Sequence, residues 1–152
     1  MRAGRIRRAV CACVAAAAVA LSAAVSAAVS AEDLSFGELY SDWTAAGLVL
    51  SDKAESLEGS TVTMTGYMAP PLTPTIRFFV LTEVPMSVCP FCSSDADWPD
   101  NIIVVKVSDP VTALPYDSPI SVTGTLEIGS EVDEETGFVS QLRIAADSID
   151  AL

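Results

Sequence analysis

Ile120-Ser121-Val122-Thr123-Gly124-Thr125-Leu126-Glu127-Ile128 is the stretch that decides the fold class. Ile120, Val122, Gly124, Leu126 and Ile128 fall on one parity, and Ser121, Thr123, Thr125 and Glu127 fall on the other. Successive side chains of a strand point to opposite faces, so this alternation predicts a β-strand with one face in a core and the other toward water. Asp133-Glu134-Glu135-Thr136-Gly137 follows with the residues of a hairpin tip. Phe138 to Ile144 reads as the return strand, and Ala145 to Leu152 closes the chain.

The same period recurs upstream. Thr61-Val62-Thr63-Met64-Thr65-Gly66-Tyr67 alternates β-branched polar residues with apolar ones and reads as the first strand. Pro70, Pro71 and Pro74 cannot donate to a ladder, so residues 68–75 are expected as an extended loop, with the second strand at Ile76 to Leu81. Ile102-Ile103-Val104-Val105-Lys106-Val107 is nearly all apolar, which predicts a third strand covered on both faces. Pro110, Pro115 and Pro119 mark a connection over residues 108–119.

Ahead of these strands, Ser35-Phe36-Gly37-Glu38 has the form of a capping box. Phe36, Leu39, Tyr40 and Trp43 recur at helical spacing up to a stop at Gly47. A short amphipathic helix is expected there, with its aromatic stripe packed against a sheet and a ligand-binding stripe as the lesser alternative, followed by a polar turn over residues 51–59. Five strands, one early helix and long connections predict a mainly β fold, a small five-stranded OB-like barrel, with a β-sandwich as the alternative. Gly66 and Gly124 are expected where a strand bends sharply or another backbone comes close. An OB-fold normally carries a helix between its third and fourth strands, where this chain offers only the Pro-interrupted segment.

Residues 1–31 have the anatomy of a secretory signal peptide: Arg2, Arg5, Arg7 and Arg8 without an acid, an uncharged run from Ala9 to Val25, and Val29-Ser30-Ala31 as a small-x-small cleavage site. Cleavage is expected after Ala31, with Ala28 as second choice, leaving residues 32–152 as one domain. The alternative is a retained N-terminal membrane anchor, against which the Ala-rich composition argues. Arg7-Arg8 lacks the usual continuation of a twin-arginine signal. The expected destination is the periplasm or the extracellular space, with no stable membrane span after cleavage.

The chain has 8 basic and 20 acidic residues. Removing the four leader arginines leaves Lys53, Arg77, Lys106 and Arg143 against the same acids, a net charge of −16. Such a field repels nucleic acid and anionic lipid and favours cations or basic proteins. The chain has no histidine, which removes Ser-His-Asp and Cys-His catalysis and the commonest zinc ligand.

Chemistry concentrates between the second and third strands. Thr82 to Asn101 is long for a connection without its own element, and such loops in compact domains are usually functional or disordered. It holds Cys89-Pro90-Phe91-Cys92, then Asp95, Asp97, Trp98 and Asp100, and with the leader removed Cys89 and Cys92 are the remaining cysteines. A structural disulfide Cys89–Cys92 is the first reading, because exported proteins meet an oxidising environment. So short a ring contributes about 2 kcal/mol by loop entropy, so its role would be to shape the loop.

The second reading is a metal site, with two thiolates as half of a zinc shell and Asp95 and Asp97 as oxygen donors; a Cys₄ shell would need a dimer. The third is thiol-disulfide exchange. Against it, Pro99 forbids the long helix that stabilises such a thiolate, and the nearby acids raise a thiol pKa. Asp95, Asp97 and Asp100 lack the remaining positions of an EF-hand loop. Phe91 and Trp98 are read as capping the barrel end, or, if exposed, as a partner surface with Asp100.

Gly66-Tyr67-Met68-x-Pro70, Phe79-x-Leu81, Cys89-Pro90-Phe91-Cys92, Ile103-x-Val105 and Val122-x-Gly124-x-Leu126 together resemble a family of small exported bacterial proteins without an assigned activity. The similarity spans Leu57 to Ile144. It implies an OB-like envelope or periplasmic domain, sometimes linked with transport or metal homeostasis, with Cys89 and Cys92 as the carried-over positions and no catalytic residue. The functional expectation is an exported, non-enzymatic binding or accessory module that presents the Cys-Pro-Phe-Cys loop to a metal ion or to an envelope protein partner such as a transport component. The competing expectation is a thiol-disulfide oxidoreductase with Cys89 as nucleophile and Cys92 as resolving thiol.

Overall fold

The computed structural model describes residues 30–71, 76–87, 98–134 and 136–152, and these described residues run through eight strands and two short helical turns. These are β1 (Glu32–Asp33), a 3-10 turn (Phe36–Glu38), β2 (Tyr40–Thr44), β3 (Gly47–Leu50), α1 (Asp52–Ser56), β4 (Thr61–Met68), β5 (Ile76–Thr82), β6 (Ile102–Val111), β7 (Pro119–Val132) and β8 (Val139–Ala151). The expected leader, residues 1–31, lies almost wholly outside the described residues.

Five strands pair in the cyclic order β4-β5-β6-β8-β7, and β7 returns to pair with β4 from Thr61↔Thr125 to Tyr67↔Pro119. All neighbours are antiparallel except β6 and β8, which run parallel through Val104↔Arg143 to Val107↔Ala146. The fold is mainly β and OB-like. The β4–β7 pairing excludes the sandwich, whose two sheets would remain separate. Between the third and fourth strands of the ring, residues 112–118 form no helix.

The alternation in β7 does what its pattern predicts: Ile120, Val122, Gly124 and Leu126 are buried, and Ser121, Thr123, Thr125 and Glu127 are partly exposed. With Val62, Met64, Phe79, Leu81, Ile103, Val105, Leu142 and Ile144 they fill the interior. β6 is covered on both faces, since Ile103 and Val105 join this core while Ile102 and Val104 join a second cluster with Val80 and Ala69. On the outer side of the β4–β7 pair the Thr63 and Thr123 hydroxyls meet at 2.8 Å.

Gly66 and Gly124 sit where a side chain has no room. A Cβ on Gly66 would lie 2.6 Å from the Thr82 carbonyl oxygen. One on Gly124 would press on the Ala145 carbonyl and lie 2.7 Å from Ala146 Cα, at the point where the β7–β8 register shifts. Glycine therefore lets the strands close into a ring at this bulge.

The N-terminal segment corrects the expected helix. Ser35 and Glu38 do interact, with the Ser35 backbone N–H and hydroxyl both donating to Glu38 Oε2 at 3.0 and 2.8 Å. The turn they start ends after Glu38. Tyr40–Thr44 and Gly47–Leu50 then pair as an antiparallel hairpin. Gly47, at φ +114°, belongs to the hairpin turn and not to a helix stop. A short isolated helix gains little from its own hydrogen bonds, and here Phe36 and Leu39, both buried, already anchor the segment in the core. Among the described residues the one α-helical turn falls in the expected polar turn, at Asp52–Ser56, where the Ser51 hydroxyl accepts from the Ala54 N–H at 3.0 Å.

β6, β7 and β8 run beyond their expected ends. β6 takes in Pro110, β7 extends past Ile128 to Val132, and the return strand continues to Ala151 instead of stopping at Ile144. Ladder partners supply the reason: Ile120 to Thr125 pair with residues 145–151, so the closing segment is held as strand.

Candidate functional site

The long loop leaves and re-enters the barrel through a closed neck. Thr82, fully buried at the end of β5, shares its hydroxyl proton between the carbonyls of Val84 (2.8 Å) and Tyr67 (3.2 Å). Opposite, the Glu83 N–H donates to the Asn101 carbonyl at 3.1 Å, and Thr82 pairs with Ile102. The two ends of the loop are therefore fixed to strands of the ring. Cys89, Phe91, Cys92, Asp95 and Asp97 lie outside the described residues, and with them the disulfide, zinc and exchange readings.

Trp98 and Asp100 are described. Trp98 is partly buried and packs against both apolar clusters, its ring 6.4 Å from that of Phe138, which in turn stacks on Phe78 at 5.8 Å. Asp100 is exposed. The Trp98 indole N–H donates to the Tyr40 hydroxyl at 2.7 Å, which ties the returning end of the loop to the β2–β3 hairpin. Burial raises the Tyr40 pKa; the Trp98 hydrogen bond opposes that shift and the charge of Asp100 adds to it. Tyr40 is a neutral hydroxyl at neutral pH.

A cavity of about 540 Å³ opens between this hairpin and the barrel. Tyr40, Trp43 and Trp98 line it together with residues 44–48 and Leu50 of the hairpin and two pairs from the barrel, Ile128-Gly129 and Gln141-Leu142. None of the lining residues is charged. The barrel wall is held from behind by Arg143, 6 % exposed, whose Nη1 donates to the carbonyl of Gly129 at 2.7 Å and to the Ser140 hydroxyl at 3.1 Å. Its Nε lies 3.2 Å from both Glu127 Oε2 and Glu131 Oε2. Lys106 completes the network 2.9 Å from Glu131 Oε1, and that hydrogen bond is the main reason the Glu131 carboxyl titrates below its ordinary value.

The hairpin is anchored on its other side as well. Lys53 bridges Glu38 Oε1 at 2.9 Å and the Asp33 carbonyl at 2.8 Å, and the Ser51 N–H donates to the Leu39 carbonyl at 3.0 Å. Lys53, and Ser35 after it, lower the Glu38 pKa to about 2.

No protein-family profile matches the chain, and no curated protein does. Among solved structures, a DUF3299 family protein from Pseudomonas aeruginosa is similar, at 15 % identity over 81 % of this chain and 97 % of that one, with a TM-score of 0.48. The fold assignment rests on the strand pairings described above.

Among the described residues no group of three Cys, Asp or Glu side chains is placed to hold a metal ion, and no helix is long and apolar enough to cross a membrane. Tyr40 and Trp43 are the lining residues that sequence reasoning missed, having assigned both to the packed face of a helix. The signal for a hairpin was present in Thr44-Ala45-Ala46-Gly47 followed by the apolar run Leu48-Val49-Leu50, a glycine turn leading into a β-compatible segment.

Proposed function

We propose that this protein is an exported, non-enzymatic binding or accessory module whose OB-like barrel presents the Cys89-Pro90-Phe91-Cys92 loop to a metal ion or to an envelope protein partner. The observation that carries the reading is the neck. Thr82, Glu83 and Asn101 clamp both ends of the loop to the ring, and Trp98 docks its returning arm on Tyr40. A loop held in this way can be ordered for binding at reduced entropic cost. The lack of histidine and the acidic surroundings of the cysteines favour binding over nucleophilic chemistry.

In the oxidised form the Cys89–Cys92 ring shapes a peptide surface for a protein partner, with Phe91 and Asp100 on it. In the metal form Cys89, Cys92, Asp95 and Asp97 hold zinc. Residues 1–31 act as the export signal in either case.

The test is to purify the natively exported protein without chelator and to measure its N-terminal residue, bound metal and free thiols on one sample. The expected result is a chain beginning at Glu32, with either blocked thiols and no metal or free thiols with stoichiometric zinc. A thiol population that follows the redox buffer overturns the reading in favour of exchange by Cys89 and Cys92. Metal-free protein that also captures no partner from envelope extract removes its support.

A further inference from the structure

We propose that the cavity between the β2–β3 hairpin and the β7–β8 wall binds a small organic cation bearing an alkylated ammonium group. Three aromatic rings, Tyr40, Trp43 and Trp98, line this one cavity. The negative faces of such rings attract a cation, most strongly for tryptophan, and an alkylated ammonium is weakly hydrated enough to enter an uncharged pocket. At about 540 Å³ the space falls within the range of small-molecule sites.

Charge complementarity selects the sign of the ligand. No lysine or arginine lines the cavity. Two carboxylates lie near the aromatic residues: Asp42, whose Oδ1 accepts from the backbone N–H of Trp43 at 2.7 Å, and Asp100, whose charge is felt at the Tyr40 hydroxyl. Three of the four basic residues beyond the leader, Lys53, Lys106 and Arg143, are engaged with carboxylates. The surrounding field is that of a chain with 20 acids. Trp43 is 62 % exposed on the hairpin, although it is the largest apolar side chain there. A ligand seated on its ring would cover surface that the fold itself leaves open.

This site involves neither cysteine, though it shares Tyr40 and Trp98 with the neck of their loop, and its ligand is separate from the one proposed there. The test is calorimetric titration of the purified exported protein with choline and with 3,3-dimethyl-1-butanol, which has the same shape without the charge, at matched ionic strength. Choline is expected to bind at least about tenfold more tightly than the neutral compound, the difference that one partly desolvated cation–π contact supplies. Trp43→Ala, at an exposed position that leaves the core intact, is expected to weaken choline binding about fivefold or more, with Trp43→Phe recovering part of the loss. Equal binding of the two compounds, no binding of either, or choline binding indifferent to Trp43→Ala overturns the proposal.

Discussion

The Trp98 indole N–H donates to the Tyr40 hydroxyl across 2.7 Å, joining a residue at the returning end of the long loop to one at the start of the N-terminal hairpin. Neither partner is fully exposed, so water does not freely replace the bond. Tyr40→Phe keeps the ring and removes the acceptor. It is expected to cost about 1–2 kcal/mol in urea unfolding and to change the tryptophan emission of the folded protein. Unchanged stability and emission would show that the indole finds another acceptor.

The closed ring depends on two glycines. Gly124→Ala forces a Cβ onto the Ala145 carbonyl and to within 2.7 Å of Ala146 Cα, and Gly66→Ala places one 2.6 Å from the Thr82 oxygen. Each neighbour is backbone, so the strands themselves must shift, at an expected cost of about 2–3 kcal/mol or more. Gly37→Ala, where nothing lies within 4 Å, is the control and is expected to leave the midpoint of denaturation almost unchanged.

Arg143 is buried and its partners Glu127 and Glu131 are partly exposed, so removing the two sides has unequal effects. Arg143→Met leaves carboxylates that water still reaches, and about 2 kcal/mol is expected to be lost with the bonds to the Gly129 and Ser140 carbonyls. The double variant Glu127→Gln, Glu131→Gln strands a buried guanidinium without counter-charge, and the loss is expected to be larger, about 3 kcal/mol. Equilibrium unfolding of the two variants decides the order.

Glu38 connects the hairpin base to pH. Its folded pKa, lowered by Lys53 and Ser35 to about 2, lies below the ordinary 4.5, so the unfolded chain binds the extra proton first. The resulting stabilisation is present above pH 4.5 and is lost as pH falls from there toward 2. Lys53→Met removes the largest cause. It is expected to raise the Glu38 midpoint in an NMR titration and to flatten the acid limb of stability against pH. An unmoved midpoint would mean that the Ser35 contacts suffice.

Much of the barrel was legible in the order of residues, because strand period and turn chemistry are local. The alternation of Ile120 to Ile128, the β-branched run at Thr61 to Tyr67 and the doubly apolar Ile102 to Val105 each carry their burial in their own pattern. The hairpin at Tyr40–Leu50 was not legible. Phe36, Leu39, Tyr40 and Trp43 satisfy the helical period, yet the choice between helix and hairpin falls to what their neighbours offer. Leu39 enters the core, Tyr40 meets Trp98 from a loop nearly sixty residues away in sequence, and Ser51 holds the returning strand. The cavity lining was missed with it, since two of its three aromatic rings lie on that hairpin.

By itself the sequence determined the fold class, the acidic field, the exclusion of histidine chemistry and the placing of Cys89 and Cys92 between the second and third strands of the ring. These follow from composition and short-range period, which neighbouring residues set without reference to the rest of the chain. Tertiary structure alone decided that β7 closes on β4, that the chain after Ile144 continues as strand, and that Tyr40, Trp43 and Trp98 share a cavity. Each depends on contacts between distant residues. Their free energy outweighs a local preference of a few tenths of a kcal/mol per residue, on the order that propensities supply.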